Sequence, residues 1–341
     1  MNIKNRERNK CLYKIEKYIQ KIIFYSSFLL LLGVSICYLV KPDSFAVVTF
    51  FSPLFWFIPG IILAVLGWDS SQKHLSVAII LLWVLFLFVF GNDIRSMIQF
   101  RHWPNPKWET AREKGEAIRI ISLNCAGSNI EAAKEVIQYD PDIVLLQESP
   151  SYKELELLAK ELFADKAGMV IGIDASIIVR GKVQTYPEFR STHITKAHIQ
   201  LTSGIETEVI SLHLRPPGIC LNVLLPSCWK EHTAYRYLDR QSIERIVEQI
   251  KLIPKTIPII VGGDFNIPAN DAVAFQPFRP YLSDSFREGG IGWGKTALND
   301  IPVVRIDQIW ISKHFKVVSS VAKKTINSDH RMVICDVLIK K

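Results

Sequence analysis

Residues Pro258 to Pro268 read PIIVGGDFNIP, and the interpretation of this stretch decides the fold. The β-branched run Ile259, Ile260, Val261 has the signature of a buried strand, stopped at Gly262 and Gly263, where the backbone can turn or be approached closely. Asp264 and Asn266 follow two residues apart, a spacing that points both side chains the same way while Phe265 faces the core. A carboxylate beside a carboxamide at the carboxyl end of a buried strand suits water activation and contact with an oxyanion or phosphate. The plain alternative is a turn, because Asp and Asn after Gly are ordinary turn residues. Partners elsewhere in the chain decide between the two.

Outward from this strand, the sequence after Ala117 alternates between periods of 2 and 3.6. Strands are expected at Ile118–Leu123, Ile143–Gln147, Ser176–Val179, Ala197–Thr202, Glu208–His213, Arg305–Ile311 and Met332–Ile339. Helices are expected at Ile130–Tyr139, Tyr152–Phe163 and Glu231–Leu252, the last with Ile243, Ile246, Val247 and Ile250 on one face. The run Ala197 to His213 reads as a hairpin. Helices between the early strands and adjacent strands in the middle imply mixed sheets covered by helices.

The strands deliver polar groups at their ends. Ile118–Leu123 runs into Asn124, PDIVLLQE into Gln147 and Glu148, VISLH into His213, and GGDFN into Asp264 and Asn266. Asp307 lies in RIDQIW, and the turn before the last strand carries Asp329 and His330 in SDH. Strand ends on one rim of a layered α/β domain meet in space, so residues far apart in sequence can form one site. The set suits phosphate-ester hydrolysis assisted by a hard divalent ion. Magnesium takes one or two protein carboxylates and keeps waters and substrate phosphate as its other ligands, with Glu148 as the principal ligand here. Zinc would want a denser His and Cys cluster than the chain has. Asp307 could orient His330 and fix its proton.

The ordered series N-x-x-G, PDIVLLQE, S-x-H-L, GGDFN, RIDQIW and SDHRMV over Ala117–Lys341 resembles the DNase I-like endonuclease/exonuclease/phosphatase superfamily. The resemblance implies a four-layer α/β sandwich, two packed mixed sheets flanked by helices, with a Mg2+-dependent phosphoesterase site on one rim and Mn2+ as a substitute ion. It implies Glu148 as metal ligand with Asn124 and Asp329 beside the metal, and Asp264 orienting or deprotonating the attacking water. Asn266 would hydrogen-bond the phosphoryl oxygens. His330, backed by Asp307, would serve as base or phosphate stabiliser, and His213 would contact the phosphate or protonate the leaving oxygen. Attack is direct and in line, with no serine or cysteine nucleophile. Arg180 in SIIVRG stands near a position where the family often has a functional run, and core or surface packing is its alternative reading. Two departures matter. Ala126 replaces an acidic residue common in the nucleases of the family, and Gln308 replaces an aromatic group near the site.

The front of the chain is different. Residues 22–40, 45–68 and 75–91 are almost wholly apolar without a polar face, and each approaches the ~20 residues that cross a bilayer. About three transmembrane helices are expected, with two spans plus a re-entrant segment as the alternative. Lys4, Arg6, Arg8, Lys10, Lys14, Lys17 and Lys21 precede the first run, whereas the loop after it has only Lys41, so residues 1–21 should be cytoplasmic. Three crossings then place the catalytic domain, residues 117–341, outside the cytoplasm of a multi-pass inner-membrane protein, after a connector at residues 92–116. Trp103 and Trp108 put that connector near the interface.

The formal charge of +8 owes much to the basic lead and is not evidence for nucleic-acid binding. The six cysteines contain no C-x-x-C pair; Cys220 and Cys228 bracket a short loop and could form a disulfide after export, or remain two thiols. The expected partners are the bilayer and a phosphate-ester substrate, with no obligate protein partner. Two substrate classes compete. Nucleic acid needs a basic, aromatic-bearing rim, for which Arg287, Trp293 and Lys295 are candidates. A lipid headgroup suits a tethered domain and the apolar segment Arg215–Trp229. An inactive scaffold domain is a third reading, disfavoured because the polar set is intact apart from Ala126.

Overall fold

The computed structural model describes residues 3–68, 72–98, 103–186, 191–216, 220 and 222–340. The chain divides into two compact units, residues 1–95 with 220–233, and residues 96–219 with 234–341.

The first unit contains α1 (Ile3–Val40), α2 (Ala46–Phe50), α3 (Pro53–Leu66) and α4 (Lys73–Phe90). α1 and α4 are long and apolar enough to cross a membrane, and the stretch through α2 and α3 qualifies as one more span if its 78° bend is counted within a single crossing. The packing gives the direction of each helix. The ring of Tyr38, near the end of α1, meets Phe86 edge-on at 5.6 Å and lies tilted 5.4 Å from Phe90 at the end of α4, so these two helices end at one level. Tyr38 also donates to the carbonyl of Phe51 just before α3, while Gly67 just after it abuts Phe24 of α1. α3 therefore runs back along α1. Between the levels of Tyr38 and Phe24 lie 14 helical residues, about 21 Å of travel at 1.5 Å each. Where the three helices meet, the Trp83 indole donates to Ser27 (3.0 Å) and Ser27 donates to Gly60 O (2.9 Å), which satisfies polar atoms that lipid could not.

In the second unit, α5 (Asn92–Ile98, begun in the first unit) and α6 (Pro106–Glu113) lead to β1 (Ala117–Asn124), α7 (Ile130–Lys134), β2 (Ile143–Gln147) and α8 (Tyr152–Phe163). The chain continues through β3 (Ala167–Ile171), β4 (Ala175–Thr185), β5 (Ile194–Leu201), β6 (Glu206–His213), α9 (Pro226–Lys251) and β7 (Ile259–Asp264). It ends with β8 (Leu282–Asp284), α10 (Ser285–Gly289), β9 (Asp307–Ser312), β10 (Phe315–Lys323) and β11 (Met332–Ile339). Among the described residues one path of strands runs β10-β11-β1-β2-β4-β5-β6-β7-β9-β8, with β3 on β4. β4 is the joint: Ala175–Val179 pairs with β2, and Gly181–Thr185 pairs with β5.

The two halves pack face to face. Ile118, Ile120, Leu145 and Val179 of one half share a core with Ile199, Val209, Ile260 and Ile309 of the other. Leu155 and Leu158 of α8 cover the outer face of the first half, and Ile243, Ile246 and Ile250 of α9 cover the second. This is the expected helix–sheet–sheet–helix sandwich.

Several expectations need correction. β7 does not stop at the glycines but runs through them to Asp264. A Cβ on Gly262 would come within 2.6 Å of Leu145 in the facing half, and one on Gly263 would overlap the Leu212 carbonyl of β6, so the pair is required by close approach inside the sheet. The helix expected at Ile130–Tyr139 is broken into α7 and a 3-10 turn at Ile137–Tyr139. From Ser96 onward the described part of the connector packs with the catalytic unit. Trp108 is buried, donates to Val337 O (3.3 Å) and lies under the Arg119 guanidinium, whose partner is the buried Asp336 at 2.7 Å. Of the two states left open for Cys220 and Cys228, the structure has the free thiols, with Cys228 donating to Cys220 O at 3.2 Å.

Candidate active site

Register brings the polar strand ends together. Parallel pairing sets Asn124 of β1 beside Gln147 of β2, which puts Glu148 at the same rim. In the facing half His213 of β6 pairs with Asp264 of β7, and Asp264 pairs with Asp307 of β9. Asn124 then joins the two halves: its amide donates to Glu148 Oε1 (3.1 Å) and to Asp264 Oδ2 (3.2 Å), while its oxygen accepts from Ala126 N (2.9 Å). As oriented, Asn124 is a strut between two carboxylates.

Asp264 is the hub. Its Oδ2 lies 3.7 Å from His213 Nε2 and 3.8 Å from His330 Nδ1, and its Oδ1 accepts from Asn266 N at 2.8 Å. Burial, and then the neighbouring Asp307, push its carboxyl up to about 7, against the pull of both histidines. His330 Nδ1 bonds Asp307 Oδ2 at 2.9 Å. Burial opposes charging this imidazole, but Asp307, Asp264 and Asp329 outweigh it and hold its pKa up at about 10. Both shifts run the same way and favour the protonated form of each group.

The turn that carries His330 is stitched from outside. Asn299 donates to Thr325 O (2.7 Å) and Ser328 O (3.0 Å), and Ser328 donates to Asn124 O at 2.7 Å. Asp329 is exposed in this turn and contributes charge to His330.

Three of the site positions carry backbone strain. Ala126 (φ 46°), Glu148 (φ 46°) and Asn266 (φ 52°) occupy the left-handed region, which costs roughly 1–3 kcal/mol for a non-glycine residue. Each is held by a site hydrogen bond: Ala126 N to Asn124, Gly127 N to Glu148 Oε2, and Asn266 N to Asp264.

The sequence missed Asp174. Its Oδ2 accepts from His213 Nδ1 at 2.8 Å and lies 3.5 Å from His193. An acidic residue in a short link between strands reads as a turn former, and only the β3–β4 pairing reveals its place. Asn266 donates to Leu214 O at 2.8 Å, which fixes its carboxamide beside the His213 strand.

Other candidates lie elsewhere. β4 runs antiparallel to β2, with Ala175 beside Gln147 and Val179 beside Ile143, so Arg180 emerges at the opposite rim and pairs with Asp140 and Asp142. Of the nucleic-acid candidates Lys295 is buried (3 % exposed), Trp293 is half-buried and donates to Pro302 O at 3.0 Å, and Arg287 is exposed. Gln308 is buried between Ile267 O (3.0 Å) and the Trp310 indole (3.2 Å) and serves the core.

A divalent metal fits the donor set. Among the described residues Asp264, Asp307 and His330 can bring ligand atoms within 4.8 Å of one another, and Asp307 Oδ1 is buried without a hydrogen-bond partner. Glu148 adds a half-buried carboxylate across Asn124. The three carboxylates are hard oxygen donors, suited to Mg2+ or Mn2+, and the His330 imidazole is a nitrogen neighbour beside them.

The profile of the Endonuclease/Exonuclease/phosphatase family matches residues 121–330, and the chain belongs to that family. Its members are phosphoesterases that generally use divalent metal ions. Among solved structures, an endonuclease/exonuclease/phosphatase family protein from Bacteroides thetaiotaomicron is 17 % identical with a TM-score of 0.50, over 66 % of this chain and 98 % of that one. A mannosyl-6-phosphatase from the same species is 18 % identical with a TM-score of 0.50, over 65 % and 100 %. No curated protein matches the chain.

Proposed function

We propose that this chain is a membrane-anchored, Mg2+- or Mn2+-dependent phosphoesterase that hydrolyses a phosphodiester or phosphomonoester by in-line attack of water. One observation carries the reading: Asp264 Oδ2 lies within 4 Å of both His213 and His330 and is hydrogen-bonded to Asn124, which also bonds Glu148. A base, two imidazoles and a metal-binding carboxylate thus form one connected set.

Glu148, with Asn124 and Asp329 nearby, would hold the ion, which when bound supplies positive charge to the phosphoryl group. Asp264, with its carboxyl raised to about 7, takes the proton of the attacking water; a base poised near the working pH is the most effective. His330, kept cationic by Asp307, stabilises the phosphoryl oxygens and is not the base. His213, oriented by Asp174, stands on the other side of Asp264 to protonate the leaving oxygen. Asn266 supplies a further amide to the phosphoryl group.

Three crossings, running out along α1, back along α3 and out along α4, would put the catalytic unit on the side opposite the basic amino terminus. A reporter fused after Lys341 tests this; cytoplasmic signal would remove a crossing. For the chemistry, purified full-length protein should hydrolyse bis-nitrophenyl phosphate with Mg2+ or Mn2+ and lose this activity in EDTA. Equal turnover in EDTA would overturn the metal-dependent reading.

A further inference from the structure

The segment Cys220–Thr233, between the His213 strand and the body of α9, belongs to the unit of apolar helices. Cys228 is fully buried in one core with Tyr38, Val47 and Phe86, and Trp229 and Val223 pack against that core. The segment seats at a defined level. The Trp229 ring meets Phe45 edge-on at 5.4 Å, the His232 ring lies 4.6 Å from Phe50, and Thr233 donates to Asp43 O at 3.0 Å. Asp43, Phe45 and Phe50 follow directly on the end of α1, where Lys41, Pro42 and Asp43 interrupt the apolar run, and α4 ends at the same level.

If these helices span a bilayer, that level is its interface, where aromatic residues concentrate. At that level the segment presents two adjacent leucines outward: Leu224 is 88 % exposed and Leu225 47 %. Their neighbours Cys228 and Trp229 are committed to the core, so the pair has no protein surface to cover within its unit. In water this would be an unfavourable place for them; against acyl chains it is favourable.

We propose that the Leu224–Leu225 tip is a bilayer-inserting element, a lipid contact additional to the spanning helices, which leashes the His213 side of the catalytic rim to the lipid surface. Cys220 lies seven positions after His213, so the leash is at most about 25 Å long at roughly 3.5 Å per residue. The consequence for substrate choice rests on the phosphoesterase reading: phosphoesters presented at a bilayer surface should be hydrolysed in preference to soluble ones. The insertion itself does not depend on that reading.

The test uses the full chain in phosphatidylcholine–phosphatidylglycerol vesicles, with p-benzoylphenylalanine introduced at position 224, 225 or, as controls, at the exposed Ile173 and Ile326. Irradiation should give lipid adducts at 224 and 225 at least about tenfold above both controls. Adduct yields at 224 and 225 equal to the controls overturn insertion, whatever the activity. In parallel, Leu224→Glu with Leu225→Glu should lower turnover of a headgroup-labelled phospholipid in these vesicles about tenfold while leaving that of bis-nitrophenyl phosphate within about twofold. Equal loss on both substrates overturns the leash. No turnover of either substrate by the unmodified protein with Mg2+ would instead overturn the phosphoesterase reading, and the cross-linking result would stand.

Discussion

Replacing Asp307 by Asn separates charge from shape at the centre of the site. Asp307 is fully buried and its Oδ2 lies 2.9 Å from His330 Nδ1, a charge-assisted hydrogen bond with little solvent to screen it. The backbone that places residue 307 is fixed independently, because Ile306 N and Asp307 N both donate to Thr296 Oγ1 at 3.2 and 3.1 Å. Asn should therefore keep the position and remove the charge. Taking one partner from a buried pair costs about 3–5 kcal/mol. Expressed in the transition state, that is a fall in kcat of about one hundred- to several thousandfold, at about 1.4 kcal/mol per tenfold, with KM little changed. The imidazole itself gives the sharper readout. In the metal-free protein His330 should titrate near 10, and in Asp307→Asn well below it, because burial then meets weaker opposition from Asp264 and Asp329. A raised histidine pKa means the cation is populated below it. The variant should therefore lose its cation, and its residual activity, as pH rises through the lowered value, and recover part of it in acid. NMR titration of the imidazole with steady-state kinetics measures both. An unshifted His330 together with kcat within about threefold of the original would refute the claim that Asp307 maintains a working cation.

Four further outcomes follow from the same geometry. Asp174→Asn should lower kcat about ten- to hundredfold, since the Nδ1 partner that orients His213 is lost; circular dichroism checks that the fold is intact. Glu148→Gln should raise the Mg2+ concentration for half-maximal activity at least about tenfold, read from metal titrations of turnover. Gly263→Ala should abolish folding or lower Tm steeply, because the added Cβ overlaps the Leu212 carbonyl and φ there is 148°; a Tm within about 2 °C of the original would contradict the tight β6–β7 approach. The ionised form of Asp264 is disfavoured in the fold, so its contribution to metal-free stability is complete below the unfolded value near 4 and is lost as pH rises through about 7. Mg2+ should accordingly raise Tm more at pH 8 than at pH 5, as measured by scanning calorimetry.

What could be read in the sequence depended on whether a residue's partner is set by pattern or by register. Buried strands such as Ile143–Gln147 and Met332–Ile339 announce themselves by composition, and their observed bounds match. β3, β8 and β10 did not. β3 and β8 are short, lying at the margins of the sheet, and β10 interrupts its alternation with Ser319 and Ser320, both buried, after a register shift at Val317. The helix Ile130–Tyr139 read as continuous because propensity carries no signal for the break at Glu135, whose carboxylate caps Ile326 N at 3.0 Å from the other end of the sequence. For the same reason Asp174 and Asn299 were invisible: one looks like a turn residue and the other like a loop residue, and their roles arise only from what the fold sets beside them.

The strained positions explain why the polar set is so compact. A strand that simply continued past Gln147 would point Glu148 to the face opposite Gln147. The left-handed conformation redirects the chain at Glu148 and Asn266, as it does at Ala126, and Asn124 and Asp264 brace two of these turns by accepting from Ala126 N and Asn266 N. The strain is thus stabilised by the same carboxylate and carboxamide that the reaction needs. Substituting Asn124 by Ala would therefore do more than remove a neighbour of the metal. It would free the Ala126 turn, leave Glu148 Oε1 and Asp264 Oδ2 facing one another without a donor between them, and raise the Asp264 carboxyl further. Loss of activity with a higher metal requirement and an alkaline shift of the pH profile is the expected combination, and a variant that lost activity without the pH shift would show that Asn124 acts on the ion alone.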